Sequence, residues 1–127
     1  MTPSVSTAIE GLKKAFPSCP LSILSEDGQG GAFVVLENVE LGERFSPQST
    51  WFGAHLPASL PYADIYPLFI GDDVRRADGT ALVGPFAQVG WQNRSAIQVS
   101  RRNNRFQAGH TAASKFVKVI DFVRSSV

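Results

Sequence analysis

Cysteine is nearly absent from this chain: Cys19 is the only one in 127 residues. No internal disulfide can form, and no zinc site could draw more than one thiolate from the chain. Histidine occurs twice, at His55 and His110, a separation that forms no ligand motif. Charge is sparse, at 18% of residues and a formal net of +1. That balance argues neither for nor against a polyanionic partner. No apolar run reaches the roughly 18 residues of a membrane span, and no basic-plus-apolar leader opens the sequence. The expectation is a cytoplasmic protein with no membrane partner. Gly28, Gly30 and Gly31 make no phosphate cradle, because no Lys-Ser or Lys-Thr follows them at P-loop spacing. Asp72, Asp73 and Asp78 do not have the spacing of an EF-hand loop and read as a solvated turn. No metal site and no cofactor is expected.

What is present suits a folded domain. Apolar residues make up 43% of the chain, enough for one domain spanning 1–127 with a proper core. Charge is polarised along the sequence: residues 1–78 hold five basic and ten acidic side chains, whereas 79–120 hold six basic and none acidic. Such halves can steer a charged partner or neutralise each other across the fold. Residues 51–70 carry Pro57, Pro61 and Pro67 among Trp51, Phe52, Tyr62, Tyr66 and Phe69. Each proline fixes φ and removes a donor, so the segment is a rigid extended path whose rings pack on something.

Periodicity places the elements. Val5, Ile9, Leu12 and Phe16 form one apolar helical stripe, Thr7 and Glu10 have capping-box spacing, and Pro17 ends the helix. Leu21–Leu24 predicts a strand, followed by a turn at Asp27-Gly28. Ala32–Leu36 continues as a second strand, with Val39 and Leu41 alternating beyond it. Trp51–Leu56 is a third, and Phe69-Ile70 begins a fourth. Residues 71–84 read as a polar loop. Phe86–Val89 and Ala96–Val99 are extended but interrupted at Gly90-Trp91-Gln92-Asn93, so the region is expected to be irregular. Thr111 caps a last helix in which Ala113, Phe116, Val117, Ile120 and Val123 face inward while Lys115, Lys118 and Asp121 face out. The expected class is α+β: N-terminal helix, antiparallel four-stranded meander, proline-rich segment, C-terminal helix.

That order, with His55-Leu56-Pro57, Leu60-Pro61-Tyr62 and Tyr66-Pro67-Leu68-Phe69, resembles the ubiquitin-conjugating-enzyme (UBC/RWD) superfamily. Gly90-Trp91-Gln92, Ser100-Arg101-Arg102 and the helix from Thr111 to Val123 are similar to its bacterial members. The resemblance implies a UBC-like fold. It also departs from the family where chemistry is concerned. The family's thioester-forming cysteine follows the last strand, after a His-Pro-Asn triplet, and residues 69–105 contain neither; Leu60 stands where tyrosine is usual. The implied role is a non-catalytic protein-interaction domain in a bacterial modification system. Its partner would be a ubiquitin-like modifier or an activating-enzyme-like protein.

The residues expected to bind the partner are Trp91 as an apolar anchor and Arg101, Arg102 and Arg105 for electrostatic docking. The alternative use of the basic 94–118 segment is nucleic-acid binding, with Trp91 or Phe106 stacking a base. A third reading is an enzyme with a carboxylate or histidine site built from Asp64, Asp72, Asp73 or a histidine. Cys19 reads as a small, partly buried side chain rather than a nucleophile. Trp51 is expected to bridge sheet and proline segment as core. No catalytic residue is assigned.

Overall fold

The computed structural model describes residues 1–100 and 111–126. Helix α1 (Pro3–Ala15) is followed by β1 (Leu21–Glu26), β2 (Ala32–Glu40), β3 (Phe45–Ser46), β4 (Ser49–Leu56), β5 (Leu68–Gly71) and β6 (Arg75–Arg76). Strands β7 (Phe86–Trp91) and β8 (Arg94–Val99) then lead to helix α2 (Ala112–Arg124).

Helix α1 starts earlier than the Thr7–Glu10 spacing suggests. Thr2 is the N-cap, its hydroxyl accepting from the Val5 N–H at 3.2 Å, and Pro3 occupies the first turn, where its missing N–H costs nothing. The predicted stripe is confirmed: Val5, Ile9 and Leu12 are buried and Phe16 packs at the edge of the core.

Among the described residues the main sheet has six strands in the order β1-β2-β4-β5-β8-β7, every neighbouring pair antiparallel. The expected meander corresponds to β1, β2, β4 and β5. The expected count of four is corrected by the β7–β8 hairpin, which falls where an irregular region was predicted. Gln92 and Asn93 form its two-residue turn at φ 50° and 61°, the doubly left-handed geometry that matches strand twist. Gln92 is an uncommon first residue for such a turn, which is why the sequence reads as an interruption. Strands β3 and β6 form a separate two-stranded ribbon.

Both helices pack on one face of the sheet. Val34, Leu36, Phe52, Ala54, Ile70 and Val99 meet Val5, Leu12, Phe116 and Ile120 in a single cluster. The proline-rich segment adds Leu60 and Ile65 to this core, while Tyr62 stays 79% exposed, contrary to the expectation that its ring packs. Thr111 caps α2 as predicted, in a reciprocal capping box with Ser114. The buried face differs at two positions from expectation: Ala112 and Val119 are buried with Phe116, Ile120 and Val123 in place of Ala113 and Val117, and Val117 is 44% exposed. Lys115, expected in water, is 2% exposed. Among the described residues no helix is long and apolar enough to cross a membrane.

Candidate interaction surface

Strand alternation sends every second residue to the sheet face that carries no helix. On β2 these include Phe33 and Val35, on β4 Trp51, Gly53 and His55, on β5 Phe69 and Gly71, and on β8 Arg94, Ala96 and Gln98. Val35, Phe69 and Ala96 are buried yet stand outside the helix-side core. The sheet therefore has a second, smaller apolar cluster. This explains the continuous apolar run at 32–36, since a strand covered on both faces has no polar side to show.

Trp91 covers that cluster. Its ring stacks on Phe69 at 4.8 Å between centroids and on Trp51 at 5.9 Å, and meets Phe33 edge-on at 6.5 Å. Room for it is made by Gly53, where any Cβ would collide with the Trp91 ring. Trp51 thus lies on the open face and not, as expected, between sheet and proline segment. The Arg94 guanidinium sits 5.0 Å from the Trp51 ring centre, with Nη1 at 3.7 Å from Glu37 Oε1. All of these rings except Phe69 remain partly accessible.

The same face ends in a polar pair. His55 stacks on Phe33 at 4.6 Å, and its Nε2 lies 2.7 Å from Asp27 Oδ2. Asp27 Oδ1 accepts from the N–H groups of Gln29 and Gly31 at 2.8 and 2.9 Å. These bonds, led by the one from His55, hold the Asp27 carboxyl below its ordinary value against an opposing effect of burial. The histidine's partner is a carboxylate. The turn at Asp27-Gly28 is as predicted, with Gly28 at φ 77°.

Of the expected partner-binding residues, Trp91 is on this face; Arg101, Arg102 and Arg105 lie outside the described residues, as do Phe106 and His110. Two other members of the basic 94–118 segment are engaged internally. Arg94 meets Glu37, and Lys115 Nζ lies 3.0 Å from Asp64 Oδ1. Both pairs join a cation of the basic stretch to an acid of the first half. Lys118 is exposed.

The residues of the enzymatic alternative do not gather. Asp72 and Asp73 line an open recess of about 470 Å³ with Glu37, Thr50 and Trp51, and Asp64 is not among its walls. Asp78 accepts from the Thr80 hydroxyl at 2.6 Å and the Thr80 N–H at 2.9 Å, closing a turn, and these bonds lower its pKa. No group of three or more His, Cys, Asp or Glu among the described residues is placed to hold a metal ion. Cys19 is half-buried between α1 and β1 and donates to the Asn38 carbonyl at 3.6 Å.

Phe33, His55 and the buried Gly53 are the residues of this face that sequence reasoning missed. Their common signal was available: 33/35 and 51/53/55 are the odd positions opposite the core-facing even ones. Comparison with protein-family models, curated proteins and solved structures returns no match.

Proposed function

We propose that this chain is a non-catalytic protein-interaction domain of the UBC/RWD-like kind. Its open sheet face, centred on Trp91, binds a ubiquitin-like modifier or the activating-enzyme-like protein of a bacterial modification system. The observation that carries the reading is the stack of Trp91 on Trp51 and Phe69, with Arg94 above Trp51, on a face that neither helix covers. Tryptophan and arginine dominate binding energy at protein interfaces, and a rigid sheet presents them at little entropic cost. The succession of α1, the sequential neighbours β1, β2, β4 and β5, and a closing helix supports the fold relationship. The position of Cys19, before the first strand, supports a role without thioester transfer.

Calorimetric titration with a ubiquitin-like modifier and an activating-enzyme-like protein from the native host tests this. Trp91→Ala or Arg94→Ala should weaken binding by about tenfold or more, with the far-ultraviolet dichroism unchanged. Replacing Arg101, Arg102 and Arg105 together with alanine should chiefly slow association and reduce its salt dependence. Absence of binding to either protein, or a modifier found in thioester linkage to Cys19, defeats the proposal. Binding to DNA or RNA that weakens steeply with salt, with no protein partner, would put the nucleic-acid reading in its place.

A further inference from the structure

The two edges of the main sheet are unlike each other. At one edge, β1 slips register between Ile23 and Ser25 and ends in Glu26, whereas a proline precedes each edge strand alike, Pro20 before β1 and Pro85 before β7. A bulge and a charge are devices that keep strand edges from pairing with other chains. At the other edge, β7 has neither within its six residues. Phe86-Ala87-Gln88-Val89-Gly90-Trp91 contains no charge and no proline, and its register with β8 runs unbroken from Phe86↔Val99 to Trp91↔Arg94. No described strand pairs with its outer side. Ala87, Gln88 and Gly90 are exposed, and a Cβ built on Gly90 would meet no atom within 4 Å. The Trp91 ring leans inward over Phe69 and Gly53 and does not obstruct the edge.

An antiparallel ladder turns the N–H and C=O of alternate residues away from the neighbouring strand. Strand β7 therefore offers a straight row of main-chain donors and acceptors. We infer that β7 is a strand-addition site whose occupant is β7 of a second copy of this chain, paired antiparallel across a two-fold axis.

Symmetry and side-chain pairing favour the second copy. A two-fold axis normal to the sheet keeps each face on its own side, so paired residues must share a face and the axis passes midway between one residue of the strand and its own copy. With the axis at Val89, Val89 pairs with its own copy, Ala87 with the second copy's Trp91, and Gln88 with the second copy's Gly90. Ala87, Val89 and Trp91 lie on the open face, opposite Gln98, Ala96 and Arg94 of β8. The pairs on that face are thus small with large and aliphatic with aliphatic. The strand carries no charge, so self-pairing brings no like charges together, whereas a charged extended peptide would find no counter-charge on it. The result is a continuous sheet through two copies, with the Trp91 clusters of both on the same side. The site is the main-chain edge of β7 and shares Trp91 with the ring face proposed above for a different protein.

Sedimentation equilibrium of the full chain over a wide concentration range tests the inference. The wild type should show a monomer–dimer equilibrium. Val89→Lys, which sets two ammonium groups opposite each other at the axis, should raise the dissociation constant about tenfold or more. Gln88→Lys, at an exposed position, serves if Val89→Lys impairs folding. In a Cys19→Ser background, Val89→Cys should form a disulfide-linked dimer under mild oxidation, because residues paired across strands lie within disulfide reach. Exposed Ser95→Cys on β8 should not. A monomer at every concentration overturns the inference. So does a dimer indifferent to both lysine variants, or equal cross-linking at 89 and 95.

Discussion

Lys115 shows how far one residue can depart from the pattern around it. Its place in the helical repeat assigns it to water, yet its ammonium is buried, 3.0 and 3.2 Å from the two oxygens of Asp64 on the proline-rich segment. A buried pair of this kind is costly to break from one side, since the remaining charge loses its partner without regaining water. Lys115→Ala should lower unfolding stability by about 3–5 kcal/mol. The double change Lys115→Met with Asp64→Leu should recover much of that, as read from urea titration. At Asp27 the relevant quantity is pH. Hydrogen bonds from His55 and from the N–H groups of Gln29 and Gly31 hold the carboxyl below its ordinary 3.8. The folded chain therefore binds the proton less readily than the unfolded chain. The resulting stability is fully present above the ordinary value and is lost as pH falls through the lowered folded one. Urea titrations across acid pH should show Asp27→Asn with a shallower loss of stability on acidification than the wild type. An equal slope would mean that Asp27 is not among the carboxylates that set it.

At the scale of elements, the proposed surface depends on the hairpin from Phe86 to Val99 lying against a strand that gives way to it. Gly53 supplies that space. Gly53→Ala forces the Trp91 ring off the sheet, and overpacking of this sort costs about 1–3 kcal/mol. The measurable signs are a lower midpoint of unfolding and a change in near-ultraviolet dichroism, where the coupled Trp51–Trp91 stack contributes. A wild-type spectrum for this variant would show that Trp91 does not occupy the position described. The bulge in β2 has a comparable local cause. Between Leu36↔Phe52 and Val39↔Thr50 the strand gains one residue, and Asn38 absorbs it at φ 60°, a conformation asparagine tolerates better than most side chains. The bulge lets Val39 and Leu41 remain in the core after the solvent-facing Asn38.

For the molecule as a whole, much was legible in the sequence and some was not, and the division has a physical origin. Helical repeats at 5, 9, 12 and 116, 120, 123, the Asp27-Gly28 turn, the Thr111 cap and the strands through 32–40 and 51–56 follow from interactions between near neighbours. Local propensity, turn chemistry and burial there all favour the same conformation. The partnerships were decided by tertiary structure: Asp27 with His55, Lys115 with Asp64, Arg94 with Glu37, and the ring of Trp91 over Gly53. Each joins residues far apart in the chain, and alternation can say that two side chains share a face without saying which strand will lie beside which. The amino-acid sequence by itself determined an α+β chain with two amphipathic helices and a set of antiparallel strands. Only packing decided which residues fill the face left free of helices, as an aromatic cluster, and that β7 ends the sheet among the described residues with its main-chain groups turned outward. A strand's pairing energy is realised only against a specific neighbour, and that choice belongs to the fold as a unit.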